Sequence, residues 1–453
     1  MLVPEIDRGP PVWFRNDHFA SASNRNDPRQ FPVTTETPPE TSAGRGRSDT
    51  TFIVGAVSIA HFLSHVYLLA YPPLFPLIGA EFGLTTTQLG LLVTAIYVPT
   101  LVLQLPLGEL VDRIGAKRIL VTGLVVTSLG VSLSGTAPTY WTLLAFALLS
   151  GIGQSVFHPA DYAFLESVTD AANQGTAFGM HTFGGFAGFA AAPVVTGTIG
   201  IQFGWRVALP TVGVLGFVYA AALLVLAAPV YKRQIDARES SVTADTDVTD
   251  EDGTATLRAT VAGLLRPALL FVFAFYFVSM MAIVALQSFT TVFAVDLGFS
   301  DSAANTVLTA YLVGSAVGVL AGGPLADRLP FQWVIVAAFG LAAVGIWYSV
   351  ATAATASLLA LVAIFGLVGL LMGIALPARD TLANSFSDAG STGKSFGFFF
   401  TGLSLGAVIS PTLLGALIDA RSVFTAFVAV GGLLIVAASI VVALGLRARA
   451  KRG

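Results

Sequence analysis

Beyond residue 51 the chain reads as long apolar stretches separated by short polar gaps. Crossing about 30 Å of hydrocarbon takes about 20 apolar residues in a helix. Twelve stretches have that length: 52–79, 84–107, 118–137, 140–167, 175–200, 205–228, 267–293, 302–321, 332–353, 356–384, 394–418 and 422–446. They are too long and too uniformly apolar for barrel strands, and lipid admits only helices or closed barrels. The pattern predicts an all-α membrane protein of twelve transmembrane helices. Residues 1–51 are polar, rich in Pro, Thr and Asn and without a signal-peptide core, and read as a disordered cytoplasmic tail. Residues 231–266 read as a cytoplasmic linker with an acidic middle, "TADTDVTDEDGTAT", and 447–453 as a basic cytoplasmic tail. Six spans precede the linker, over 52–230, and six follow it, over 267–446.

The two sets of six resemble each other. "HPADYAFLESVTDAANQGTAFGMHTFGGFAGFAAAPVVTG" aligns with "LPARDTLANSFSDAGSTGKSFGFFFTGLSLGAVISPTLLG". Pro159, Gly175, Phe178, Gly184 and Pro193 fall on Pro377, Gly393, Phe396, Gly402 and Pro411, each pair 218 residues apart. "GELVDR" likewise meets "GPLADR". Six-helix repeats joined by a linker are a transporter architecture, with the substrate site between the halves near mid-membrane.

Composition fits that class and excludes others. The 453 residues are 55% hydrophobic and 11% charged, with a mean hydropathy of +0.80, unlike a soluble protein of this size. The net charge of −3 is scattered, so nucleic acid is not an expected partner. With no cysteine there is no disulfide, thiolate nucleophile or Cys-ligated metal. No Walker motif and no usual spacing of metal ligands appears, so the expectation is no enzyme chemistry, cofactor or metal. Charge also sets orientation. Loops on the side of the termini hold Arg113, Lys117, Arg118, Lys232, Arg233, Arg266, Arg328 and Lys394, whereas the opposite loops hold only Arg206 and Arg421. Both termini are therefore expected in the cytoplasm, with the protein in the plasma membrane.

Ionisable residues inside spans face the interior and mark function by default. His61 and His65 are four apart in span 1, and His158 and Asp161 three apart in span 4, so each pair shares a helix face. At 1.5 Å per residue they reach a common depth, with His181 of span 5 a little lower. Pro159 removes a hydrogen bond and can bend span 4. Asp161 with these histidines is read as a protonation site. Arg379, at the repeat position of Asp161, is expected to face it across the cavity, pairing with it when it is unprotonated or holding substrate. Asp380 is expected to point about 100° away from Arg379, serving packing or pairing with a neighbour. The plainer alternatives are histidines that hydrogen-bond helices together and a static Asp161–Arg379 pair. Tyr67, Tyr71, Tyr97, Gln104, Gln154, Tyr276, Gln287 and Tyr311 are candidates for cavity lining or for core packing.

"GELVDRIGAKR" resembles the signature after the second helix of the major facilitator superfamily, with Gly108, Asp112 and Arg113 in place and one extra residue, Ala116, before Lys117. The second copy keeps Asp327 and Arg328 but lacks the later glycine and basic pair. The resemblance implies a cytoplasmic gate at these residues. Physically, Asp112 can accept from a neighbouring helix N-terminus or pair with Arg113 or Lys117; plain charge bias of the loops is the alternative. "GIGQSVFHPADY" and "SHVYLLAYPPLFPLI" are similar to the fosmidomycin-resistance-type exporters of that superfamily. "GFAAAPVVTG" is a degraded form of the Gly-Pro pattern of drug–proton antiporters, and reads equally as close packing by small residues. The resemblance implies a secondary active transporter working by alternating access. The expectation is a monomeric, proton-coupled exporter of small amphipathic or anionic compounds, with the lipid bilayer, a small-molecule substrate and protons as partners. The alternatives are a proton symporter taking up a small organic anion and a non-transporting receptor on the same fold.

Overall fold

A computed structural model of the chain describes residues 40–170, 173–239, 264–387 and 392–450. Among the described residues there is no strand. Twelve helices are long and apolar enough to cross a membrane: span 1 is Asp49–Phe82, span 2 Thr86–Gln104, span 3 Ala116–Ser134, span 4 Tyr140–Val168, span 5 Gln174–Phe203 and span 6 Trp205–Val225. Spans 7 to 12 are Pro267–Asp296, Asp301–Arg328, Phe331–Ala351, Leu358–Phe386, Lys394–Ala420 and Val423–Arg447. The helices of spans 2 and 8 outrun the apolar stretch, continuing through "GELVDR" and "GPLADR" to Ile114 and Arg328.

Three polar segments differ from expectation where they are described. The helix of span 1 already begins at Glu40, so 40–51 is helix rather than tail, and residues 1–39 lie outside the described residues. The helix of span 6 runs on to Glu239, and of the linker 240–263 lies outside the described residues. The last helix extends to Ala450, so of the basic tail only 451–453 lies outside them.

Turn and cap residues set the short loops. Gly83 takes a left-handed φ of 63° at the end of span 1, and Thr85 caps the next helix. Thr139, Ser300 and Ser357 each accept a backbone N–H at the start of spans 4, 8 and 10. In the first half span 1 packs on span 5, span 3 on spans 4 and 6, and span 2 on span 4. In the second half span 7 packs on span 11, span 8 on span 10, and span 9 on spans 10 and 12.

The halves meet chiefly where span 2 lies along span 11 and span 5 along span 8. Asn305 Nδ2 donates to the Pro193 carbonyl at 2.8 Å, and the Thr291 hydroxyl donates to the Pro72 carbonyl at 3.0 Å. The Thr94 hydroxyl donates to the Val408 carbonyl at 2.7 Å. All these contacts lie toward the face opposite the termini, the far face. At the face bearing the termini, the near face, Asp112, Arg113, Asp327 and Arg328 are exposed. The halves are therefore closed at the far face and open toward the near one.

Among the polar candidates, Tyr67, Tyr71, Tyr276 and Tyr311 are fully buried, and Tyr97, Gln154 and Gln287 nearly so. Tyr67 donates to the Val212 carbonyl and Tyr71 bonds Ser134, so both belong to the packing of the first half.

Candidate functional site

Span 4 is two helices, Tyr140–Gln154 and Phe157–Val168. The break falls one turn before Pro159, which has no N–H for the Ser155 carbonyl and whose ring crowds that carbonyl. Its repeat partner Pro377 lies inside the unbroken helix Leu358–Phe386. The helix is thus interrupted in one half only, just before His158 and Asp161.

Asp161 is 0% exposed. Its Oδ2 lies 2.9 Å from His61 Nδ1 and 3.0 Å from His181 Nε2. The two imidazoles are stacked, centroids 3.7 Å apart and planes 26° apart. His65 and His158 complete the group, with ring centroids 4.4 Å and 5.4 Å from that of His61. All five residues named from sequence as proton-coupling candidates therefore form one cluster, with His61, Asp161 and His181 buried and His65 and His158 half-buried. Gly185 makes room for it. A Cβ there would stand 2.7 Å from His65 Cε1 and 2.9 Å from His61 Nε2, so only glycine lets span 5 approach span 1 this closely.

With Asp161 ionised, both imidazoles donate to one oxygen, while Oδ1 has no protein partner. Removing an isolated carboxylate from water costs several kcal/mol, which the two donors offset in part. A proton arriving here can rest on the carboxylate or on a ring, and the shared oxygen makes it common property of the cluster. His61, Asp161 and His181 also form the one group among the described residues whose ligand atoms, all within 4.8 Å, are close enough to hold a metal ion. Sequence spacing gave no sign of it. The ligand atoms of His61 and His181 lie 2.9 and 3.0 Å from Asp161 Oδ2, separations that direct hydrogen bonds account for.

Arg379 does not meet Asp161, which corrects the pairing expected from the repeat. Arg379 Nε donates to Asp380 Oδ1 at 3.0 Å, and the Tyr276 hydroxyl donates to the same oxygen at 2.9 Å. The Arg379 guanidinium lies 4.7 Å over the Tyr276 ring. Asp380 leaves the helix about 100° from Arg379, and of packing or pairing with a neighbour it does the latter, with Arg379. The pair is unequal: the Arg379 side chain is 12% exposed and that of Asp380 51%. Phe399 and Phe400 flank Tyr276. A second cluster thus stands in the second half, uncharged overall but offering a guanidinium beside aromatic faces.

Tyr162 lies between the two clusters and was not singled out from sequence. It packs on His158 and His181, and it is in electrostatic reach of Asp161 on one side and of Asp380 and Arg379 on the other. Its signal was available, one residue after Asp161, but a tyrosine in an apolar span reads as packing.

The gate residues are apart from both clusters. Arg113 pairs with Glu109 one turn back rather than with Asp112, and Asp112 is exposed. Gly108 sits mid-helix, because the helix runs on to Ile114 and leaves through Gly115 at φ 97°. Lys117 begins the next helix.

Twelve membrane-crossing helices in two six-helix repeats, closed at one face and carrying buried charge between helices, define a multi-pass membrane protein built as transporters are. The Major Facilitator Superfamily profile matches residues 57–300 and again 268–453, so the chain belongs to that superfamily of transporters and is not an enzyme. It is 25% identical over 382 residues to an uncharacterized MFS-type transporter, YfnC, of Bacillus subtilis, covering 83% of this chain and 88% of that protein. It is 25% identical over 385 residues to the fosmidomycin resistance protein of Escherichia coli, covering 84% and 90%. A bacterial homolog of the human lysosomal transporter Spinster, solved inward-facing and occupied, superposes with a TM-score of 0.70 at 15% identity, over 87% of this chain and 96% of that one.

Proposed function

We propose that this protein is a proton-coupled exporter of small amphipathic or anionic compounds, working by alternating access as a monomer in the plasma membrane with both termini cytoplasmic. The observation that carries the coupling is the Asp161 carboxylate oxygen shared by His61 and His181 in complete burial. A carboxylate in direct contact with imidazoles can pass a proton among them, which is what coupling to a proton gradient requires. Arg379, flanked by Tyr276 and the phenylalanines, is the candidate contact for an anionic, partly apolar cargo. The excess of Lys and Arg on the near face supports the orientation. Export is favoured by similarity to a resistance protein. Uptake of an organic anion would use the same two clusters in the opposite direction.

The test is reconstitution in vesicles with a compound panel, following counterflow and internal pH together. Asp161→Asn is expected to abolish proton-driven transport while leaving substrate exchange measurable. Full proton-driven transport in that variant removes Asp161 from the mechanism, and the absence of any counterflow in the unaltered protein favours the receptor alternative.

A further inference from the structure

At the far face the halves share a contact that the sequence does not announce. A helix begins with four backbone N–H groups that have no partner within it. At the start of span 2, two are served locally: the Thr85 side chain accepts from Gln88 N at 3.2 Å, and Gln88 Oε1 accepts from Thr85 N at 2.9 Å. The other two, on Thr86 and Thr87, donate to Asp419 Oδ1 and Oδ2, both at 2.8 Å. The Thr87 hydroxyl donates to Oδ2 as well. Asp419 belongs to span 11, in the other half. A carboxylate on a helix N-terminus also gains from the helix dipole. One turn earlier, a Cβ at Gly415 would stand 2.5 Å from the Thr86 carbonyl oxygen, so glycine there lets the two backbones meet.

We propose that Asp419 is the far-face gating residue of the transport cycle. Its carboxylate completes the N-terminus of span 2 only while the halves touch, and opening this face exchanges it for water at the N–H groups of Thr86 and Thr87. The proposal rests on the alternating-access reading. Asp112, exposed on the near face, then stands at the opposite end of the same helix, so span 2 carries a candidate latch at each end.

The native chain has no cysteine, so a single reporter can be introduced cleanly. Ser288 is buried, one turn below Thr291, which bonds the other half. Labelling of Ser288→Cys by a membrane-impermeant maleimide applied from the far face measures how often that face opens. Asp419→Ala is expected to raise the labelling rate about five- to tenfold, within the usual range of a coupling between sites. Thr86→Pro is expected to raise it by less, since Thr87 still donates to Asp419. Proline removes the N–H that Asp419 accepts, suits the first helical position, and follows a Thr85 already extended at ψ 162°. The two changes together are expected to add little to Asp419→Ala alone. Unchanged labelling in both folded variants overturns the proposal, as does a rise in Asp419→Ala without one in Thr86→Pro, since the contact would then not act through the helix end. Should one variant fail to fold, the other decides. Labelling needs no substrate, so counterflow in the unaltered protein separately tests the alternating-access reading.

Discussion

Removing Asp161 and one of its neighbours in a double-mutant cycle measures what the buried carboxylate contributes. Asp161 accepts from two imidazoles in full burial. Bonds between neutral groups of membrane helices average about 0.6 kcal/mol, whereas hydrogen bonds to a charged group are worth about 1.5–3 kcal/mol. Asp161→Ala forfeits both and leaves two donors stranded, so a loss of about 3–5 kcal/mol is expected. His181→Ala forfeits one. The coupling between Asp161→Ala and His181→Ala should be about 1.5–3 kcal/mol if the carboxylate is charged in the resting protein. The coupling between Asp161→Ala and Arg379→Ala should stay within about 0.5 kcal/mol, as for sites that share no partner. The assay is the folded fraction of detergent-purified protein against denaturant, with all variants measured alongside the parent. A His181 coupling near about 0.6 kcal/mol would make this an ordinary neutral bond and refute the charged cluster. A larger coupling to Arg379 than to His181 would refute the site geometry.

Three further outcomes are expected. Gly185→Ala should destabilise by about 1–3 kcal/mol through overpacking against His61 and His65, and should lower proton-driven transport more than substrate exchange; normal stability and transport would show that the spans yield at no cost. Pro159→Ala should restore a hydrogen bond to the Ser155 carbonyl and slow hydrogen exchange at the break in span 4, with slower transport as the functional readout; unchanged exchange would assign the break to another cause. Tyr276→Phe should free Asp380 from its hydroxyl partner and alter substrate affinity while shifting stability by only about 0.5–1.5 kcal/mol, and unchanged affinity would place the cargo elsewhere.

The twelve spans were legible because hydropathy over about 20 residues is a strong signal. The histidine cluster was legible because His61/His65 and His158/Asp161 each lie on one helix face, and intramembrane charge has few reasons to exist. The Asp161–Arg379 pair failed for an identifiable reason. The repeat fixes where the two backbones sit relative to the pseudo-axis, but contact also depends on how far the halves stand apart, and here they are open on that side. Asp380, beside Arg379 in sequence, had no such gap to cross. Asp419 was illegible because its partners are backbone N–H groups of another helix, which leave no trace in side-chain spacing. Capping signals read locally, and Thr85 with Gln88 already satisfied the local pattern.

The two charged clusters fall in different halves, the histidines and Asp161 in the first and Arg379 with Asp380 in the second. That split has an evolutionary corollary. Each half can drift under its own selection, because a change that reshapes the wall around Tyr276 leaves the rings around Asp161 untouched. On the roles proposed above, recombination between related genes at the joint between the halves would join a new cargo wall to an old proton site in a single event. What must be inherited together is the surface where the halves touch: the Thr86–Asp419 seam on one face and Tyr162 at the centre.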